Sequence, residues 1–192
     1  MPTSRPFEQL IEIAAEQHGF LRIADAEAIG IKPVYLRKLA LQGRLQHRAR
    51  GLYRLTAIPT TDRDEFQEAV MMGPIGGVIA GDAAIALWNL ADVNSRVIEV
   101  IIPPGTQVRR KNPGSIAFRQ HFLPQRDITI VDNIQVLTPD IAIRALITAG
   151  SDGELVLQAI QNARKRDLIG ELTEARLRVA LADRAELSGT AS

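Results

Sequence analysis

With 192 residues, 46% of them hydrophobic and only 4% aromatic, the chain is long enough for two domains with mainly aliphatic cores. It has no cysteine, which excludes disulfides, thiolate catalysis and thiolate metal sites, and no apolar run of the roughly 18 residues a membrane span needs. Its net charge of +1 hides an asymmetry: residues 1–55 hold nine Lys or Arg against five Asp or Glu, a net +4, whereas residues 56–192 hold fourteen against seventeen, a net −3. The first residues show no charged-then-apolar leader pattern, so a cytoplasmic location is expected.

Taken in order, Phe7, Leu10, Ile11 and Ala14 recur at helical spacing and predict an amphipathic helix over 6–17. A short second helix over about 23–29 has Ile23, Ala26 and Ile29 as inward positions. Residues 30–55 then hold Lys32, Arg37, Lys38, Arg44, Arg48, Arg50 and Arg54 and not one Asp or Glu. Within this island Gly30, Ile31, Lys32 and Pro33 read as a tight turn, with Pro33 at a first helical position where its missing N–H costs nothing. The helix that follows turns Leu36, Leu39 and Ala40 inward and sets Tyr35, Lys38 and Gln42 on a polar arc, and Gly43 stops it. Residues 44–48 and 52–55 form a hairpin across Ala49, Arg50 and Gly51, with Leu45, Leu52 and Leu55 inward and the arginines at rim and tip. Helix, helix, turn, helix, hairpin is the order of a helix-turn-helix module with a wing.

That module suits a polyanionic duplex. Tyr35, Lys38 and Gln42 are expected to face the major groove, where Lys donates to guanine O6/N7 and Gln pairs with adenine N6/N7. Lys32, Arg37, Arg44, Arg48, Arg50 and Arg54 are expected at phosphates or in the minor groove. Five or six such contacts imply a fall of log K with log salt at a slope of roughly −4.5 to −5.5. One module buries only about 600 to 1,000 Å² on DNA, so a monomer or weak dimer that pairs on an inverted repeat is expected.

The polar, proline-containing stretch 56–61 marks a boundary, giving a DNA-binding domain at 1–58, an α+β effector domain at 59–187 and a disordered tail at 188–192. Thr61 or Asp62 caps a helix to about residue 72, with Phe66, Ala69 and Val70 inward. Residues 73–77 break it, and Asp82 reads as the N-cap of a short helix to residue 88. Residues 97–102 are the clearest strand; 116–119 and 134–137 add two more to a small mixed sheet. Thr138 and Pro139 open the first of three final helices, at 141–148, 152–166 and 172–183. The fold class is therefore α+β: a winged helix-turn-helix domain, then a mixed domain with a small sheet and C-terminal helices.

Chemistry is conspicuous by absence. His18, His47 and His121 form no metal-ligand pair, no G-x-S-x-G elbow is present, and the glycines of 73–81 lack the Lys-Ser/Thr of a phosphate loop. Asp62 and Asp64 are better read as a helix start than as an acid pair, and Tyr53 and Trp88 as core. Arg109, Arg110 and Lys111 are either a solvated loop or a second contact to DNA or a partner. Arg164, Lys165 and Arg166 complement a helix dipole. No catalytic residue, metal or cofactor is expected.

Several phrases in this order resemble a known family: His18-Gly19-Phe20-Leu21, Ala24-Asp25-Ala26, Gly30-Ile31, Tyr35-Leu36-Arg37-Lys38-Leu39, Gly43-Arg44-Leu45 and Arg50-Gly51-Leu52-Tyr53-Arg54-Leu55. They look like the N-terminal winged helix of the AbiEi antitoxins of type IV toxin–antitoxin systems. The run from Ile79 to Leu90, the strand ending at Pro103, and Leu137-Thr138-Pro139-Asp140-Ile141-Ala142 resemble that family's antitoxin domain, with Asp82 where the family usually has Ser or Glu. The resemblance implies a repressor of its own operon whose C-terminal part counters a neighbouring nucleotidyltransferase toxin, with or without direct contact. Restriction-like nucleases that share the winged helix carry a Glu-x-Lys signature that is not visible here. Two other classes stay open from the residues themselves: a module whose basic hairpin meets an acidic protein, and a regulator whose C-terminal domain binds a small metabolite.

Overall fold

The computed structural model describes residues 5–93, 96–108 and 114–189. The first unit is α1 (Arg5–Glu16), β1 (Phe20–Arg22), α2 (Ile23–Ala28), α3 (Pro33–Leu41), β2 (Leu45–Ala49) and β3 (Leu52–Leu55). Helices and hairpin stand within a residue or two of the positions their periodicity predicts. Strand β1 has no counterpart in the sequence reading, because three residues are too few to show alternation. It pairs antiparallel with β3, which pairs antiparallel with β2, giving the order β1-β3-β2.

The central strand β3 of this small sheet is buried on both faces. Leu21, Leu45, Tyr53 and Leu55 pack with Phe7, Leu10, Ala26, Leu36 and Leu39 of the three helices. Phe20 and Leu52 point the other way and join the larger core of the rest of the chain. A strand whose successive side chains alternate between faces can serve two cores at once, which is what β3 does.

The larger unit consists of α4 (Asp64–Met72), β4 (Val78–Ala80), α5 (Gly81–Trp88), β5 (Ile98–Ile102), β6 (Ile116–Gln120), β7 (Ile128–Val131), β8 (Ile134–Leu137), α6 (Pro139–Ala149), α7 (Gly153–Lys165) and α8 (Glu171–Gly189). Its mixed sheet has the order β6-β5-β4-β8-β7, with β4 parallel to β8 and β5 parallel to β6. Central β4 is buried at every residue and so shows no alternation in sequence. Strand β7, also unforeseen, is tied to β8 by Asp132 and Asn133, whose φ values of 48° and 61° fit the primed turn a two-residue hairpin favours.

Four local expectations need correction. The N-cap of α4 is Arg63, not Thr61 or Asp62; instead the Thr61 hydroxyl accepts from the Arg63 N–H at 3.2 Å. Helix α5 opens at Gly81 from an Ala80 cap, so Asp82 sits inside the first turn, where its charge still meets the helix dipole. Helix α6 begins at Pro139 with Thr138 as its N-cap, as expected, but the Thr138 hydroxyl donates to the Asp140 carboxylate at 2.7 Å and bonds no backbone N–H of the helix. Helix α8 runs to Gly189, so the first two residues of the expected tail are helical. No helix among the described residues is long and apolar enough to cross a membrane.

Candidate nucleic-acid interface

Helix α3 forms because Ile31, Leu36 and Leu39 find the core and Pro33 stands at its first position. It stops by backbone chemistry. Gly43, at φ +73°, lets its own N–H reach the Ala40 carbonyl and the Arg44 N–H reach the Leu39 carbonyl, both at 3.0 Å, the double bond of a Schellman cap. The outward arc of α3 is centred on Val34, Arg37, Lys38 and Leu41, with Val34 66% and Leu41 91% exposed. Lys32 and Gln42 are exposed at its two ends, whereas Tyr35 is half-buried against the first core. The two exposed aliphatic side chains carry no charge or polarity that would mark them as contacts in the sequence.

The wing divides its arginines between two faces. Gln46 and Arg54 are cross-strand partners, and so are His47 and Tyr53; the ladder then slips at Arg48, which occupies a bulge. Arg54 is 7% exposed: its Nε and Nη2 both lie 2.8 Å from Asp64 Oδ2, and its Nη1 and Nη2 donate to the carbonyls of Leu55 and Pro59. Arg48 grips Glu68 through two parallel bonds of 2.8 Å. That bond holds the Arg48 guanidinium above its ordinary pKa, so it stays charged at every working pH. Arg48 and Arg54 were expected on phosphates; the structure turns both onto α4, where Asp64 and Glu68 stand one turn apart. The alternation of residues 52–55 sets Arg54 on the face of Leu52, but which acids meet the two arginines is decided by the tertiary fold.

The ion pairs of α4 with the wing are made by Arg48 and Arg54. Arg50 is exposed at the wing tip, and Arg37, His47 and Arg50 line a groove of about 740 Å³ whose other wall is Met72, Pro74 and Val108 of the larger unit. Among the described residues no carboxylate lines it. His47 and Tyr53 stack edge-to-face at 5.3 Å between its centroids. Arg44 is half-buried, its guanidinium 3.4 Å from the centre of the Phe7 ring. Arg109, Arg110 and Lys111 lie outside the described residues.

Arg22, which no motif singled out, fastens the two units together: its guanidinium donates to the carbonyls of Val70, Met71 and Gly73 at the end of α4, at 3.2 to 3.4 Å. On the far side Arg63 meets Asp132 at 2.9 Å, and the Asn133 amide donates to the Glu16 carbonyl at 3.0 Å.

Three helices, a two-stranded wing and one outward cationic face define a winged helix-turn-helix of the kind that binds DNA. Residues 8–56 match the family model described as transcriptional regulator, AbiEi antitoxin. The crystal structure of the RV2827C protein from Mycobacterium tuberculosis resembles the whole chain loosely, at 15% identity and a TM-score of 0.47 over 90% of this chain and 79% of that one. No curated protein matches the chain.

Proposed function

We propose that the protein is an AbiEi-type antitoxin that binds double-stranded DNA through α3 and the wing tip, represses its own operon, and opposes a nucleotidyltransferase toxin through the larger unit. The observation that carries the DNA reading is the sorting of charge: Lys32, Arg37, Lys38 and Arg50 are exposed on α3 and the wing tip, while the acids Asp64 and Glu68 are spent on Arg54 and Arg48 behind the wing. Arg37 and Lys38 approach the major groove, and Val34 and Leu41 offer apolar contact to thymine methyl groups. Lys32, Arg44 and Arg50 serve phosphates.

With Arg48 and Arg54 withdrawn, three or four phosphate contacts remain, and a slope of log K against log salt of roughly −2.7 to −3.6 is expected on the chain's own upstream DNA. Arg50→Ala should flatten that slope by about one unit, and Arg48→Ala should leave it unchanged. A flat salt titration, or equal losses from both variants, would overturn the interface. The antitoxin role is tested separately: Lys38→Ala/Arg50→Ala should lose repression and still relieve the toxicity of the neighbouring gene.

A further inference from the structure

Helix α8 is apolar on two opposite sides. Leu177 and Leu181 are buried against the rest of the larger unit, where α8 packs on α6 and α7. The other side shows Leu172 67%, Val179 60% and Leu187 73% exposed, with Ala175 and Ala182 exposed between them. At 100° per residue these five share one outward arc of roughly 140° with exposed Arg176, Asp183 and Glu186. Soluble monomers seldom leave such a stripe to water.

The stripe is close to a palindrome about Val179. Leu172 precedes Val179 by seven residues and Leu187 follows it by eight, Arg176 precedes it by three and Asp183 follows by four, and Ala175 precedes it by four and Ala182 follows by three. Neither Arg176 nor Asp183 has an ion-pair partner among the described residues. We propose that a second copy of this chain docks here, α8 against α8, antiparallel about a two-fold axis. Leu172 then meets Leu187 of the second copy, the two Val179 side chains cross at the axis, Arg176 and Asp183 pair twice, and the alanines let the backbones approach. A two-fold interface needs this self-complementarity, since each residue pair occurs twice. A parallel arrangement would instead set Arg176 against Arg176 and Asp183 against Asp183.

A single-helix seam of this kind falls below the ~1,200 Å² of a standard interface, so the association is weak. Sedimentation equilibrium of the full chain from about 1 μM to about 1 mM should show the mass rising from one chain toward two, the millimolar end marking the weakest association of interest. Val179→Asp and Arg176→Asp should each weaken association at least tenfold with the far-ultraviolet circular dichroism unchanged, and Arg176→Asp/Asp183→Arg should recover it. A one-chain mass throughout, undiminished association in Val179→Asp, or no recovery in the double exchange overturns the proposal.

Discussion

Arg54 is the residue on which the two units turn. It is a cation placed among buried neighbours, above the Phe20 ring and against Asp64, and it also holds the carbonyls of the linker that leads to α4. Removing one partner of a buried pair strands the other charge, at a cost of about 3 to 5 kcal/mol, so Arg54→Ala should lower the unfolding free energy by about 3 kcal/mol in a urea titration. Arg48→Ala removes a pair whose arginine is 36% exposed and should lower it by less than about 1 kcal/mol. Equal effects would mean that Arg54 is solvated and that the wing is not anchored there. The two arginines look alike in a list of cations; burial is what separates them.

At the level of the element, α3 and the wing owe their shape to two glycines at φ +73°, Gly43 and Gly51. A Cβ on Gly43 would touch nothing within 4 Å, so any cost of Gly43→Ala is conformational. It should be about 1 to 2 kcal/mol, seen as a lower Tm, and Gly43→Asn should recover part of it because Asn tolerates the left-handed region. An alanine variant as stable as the parent would show that α3 ends without the cap. Because the cap aims Arg44 back over Phe7, the same change should loosen the first turn of the wing. Gly51 does for the wing tip what Gly43 does for the helix end, and leaves Arg50 outermost.

Across the whole molecule, the two units share side chains rather than merely adjoining. Phe20 and Leu52 come from the wing's sheet but lie in the core of the larger unit, so a fragment beginning near residue 60 would leave that core open. Leu52→Ala should cost about 2 to 5 kcal/mol, and the loss should appear in the fluorescence transition of Trp88, the one tryptophan, although Trp88 belongs to the larger unit. A Trp88 transition that ignores Leu52→Ala would show that the units unfold independently. Much of this molecule was legible in one dimension: period 3.6 in residues 6–17 and 33–41, a glycine stop, and an acid-free basic stretch are local facts, and local facts determine helices, turns and the kind of polymer the surface suits. Strands β1 and β7 and the helical continuation past residue 183 were not, because they are too short or too polar to show a period until a neighbour pairs with them. Which cations face outward could be decided only in three dimensions. Charge is a property of a residue, but its availability depends on what packs beside it, and α4 brings Asp64 and Glu68 to the back of the wing from beyond the linker.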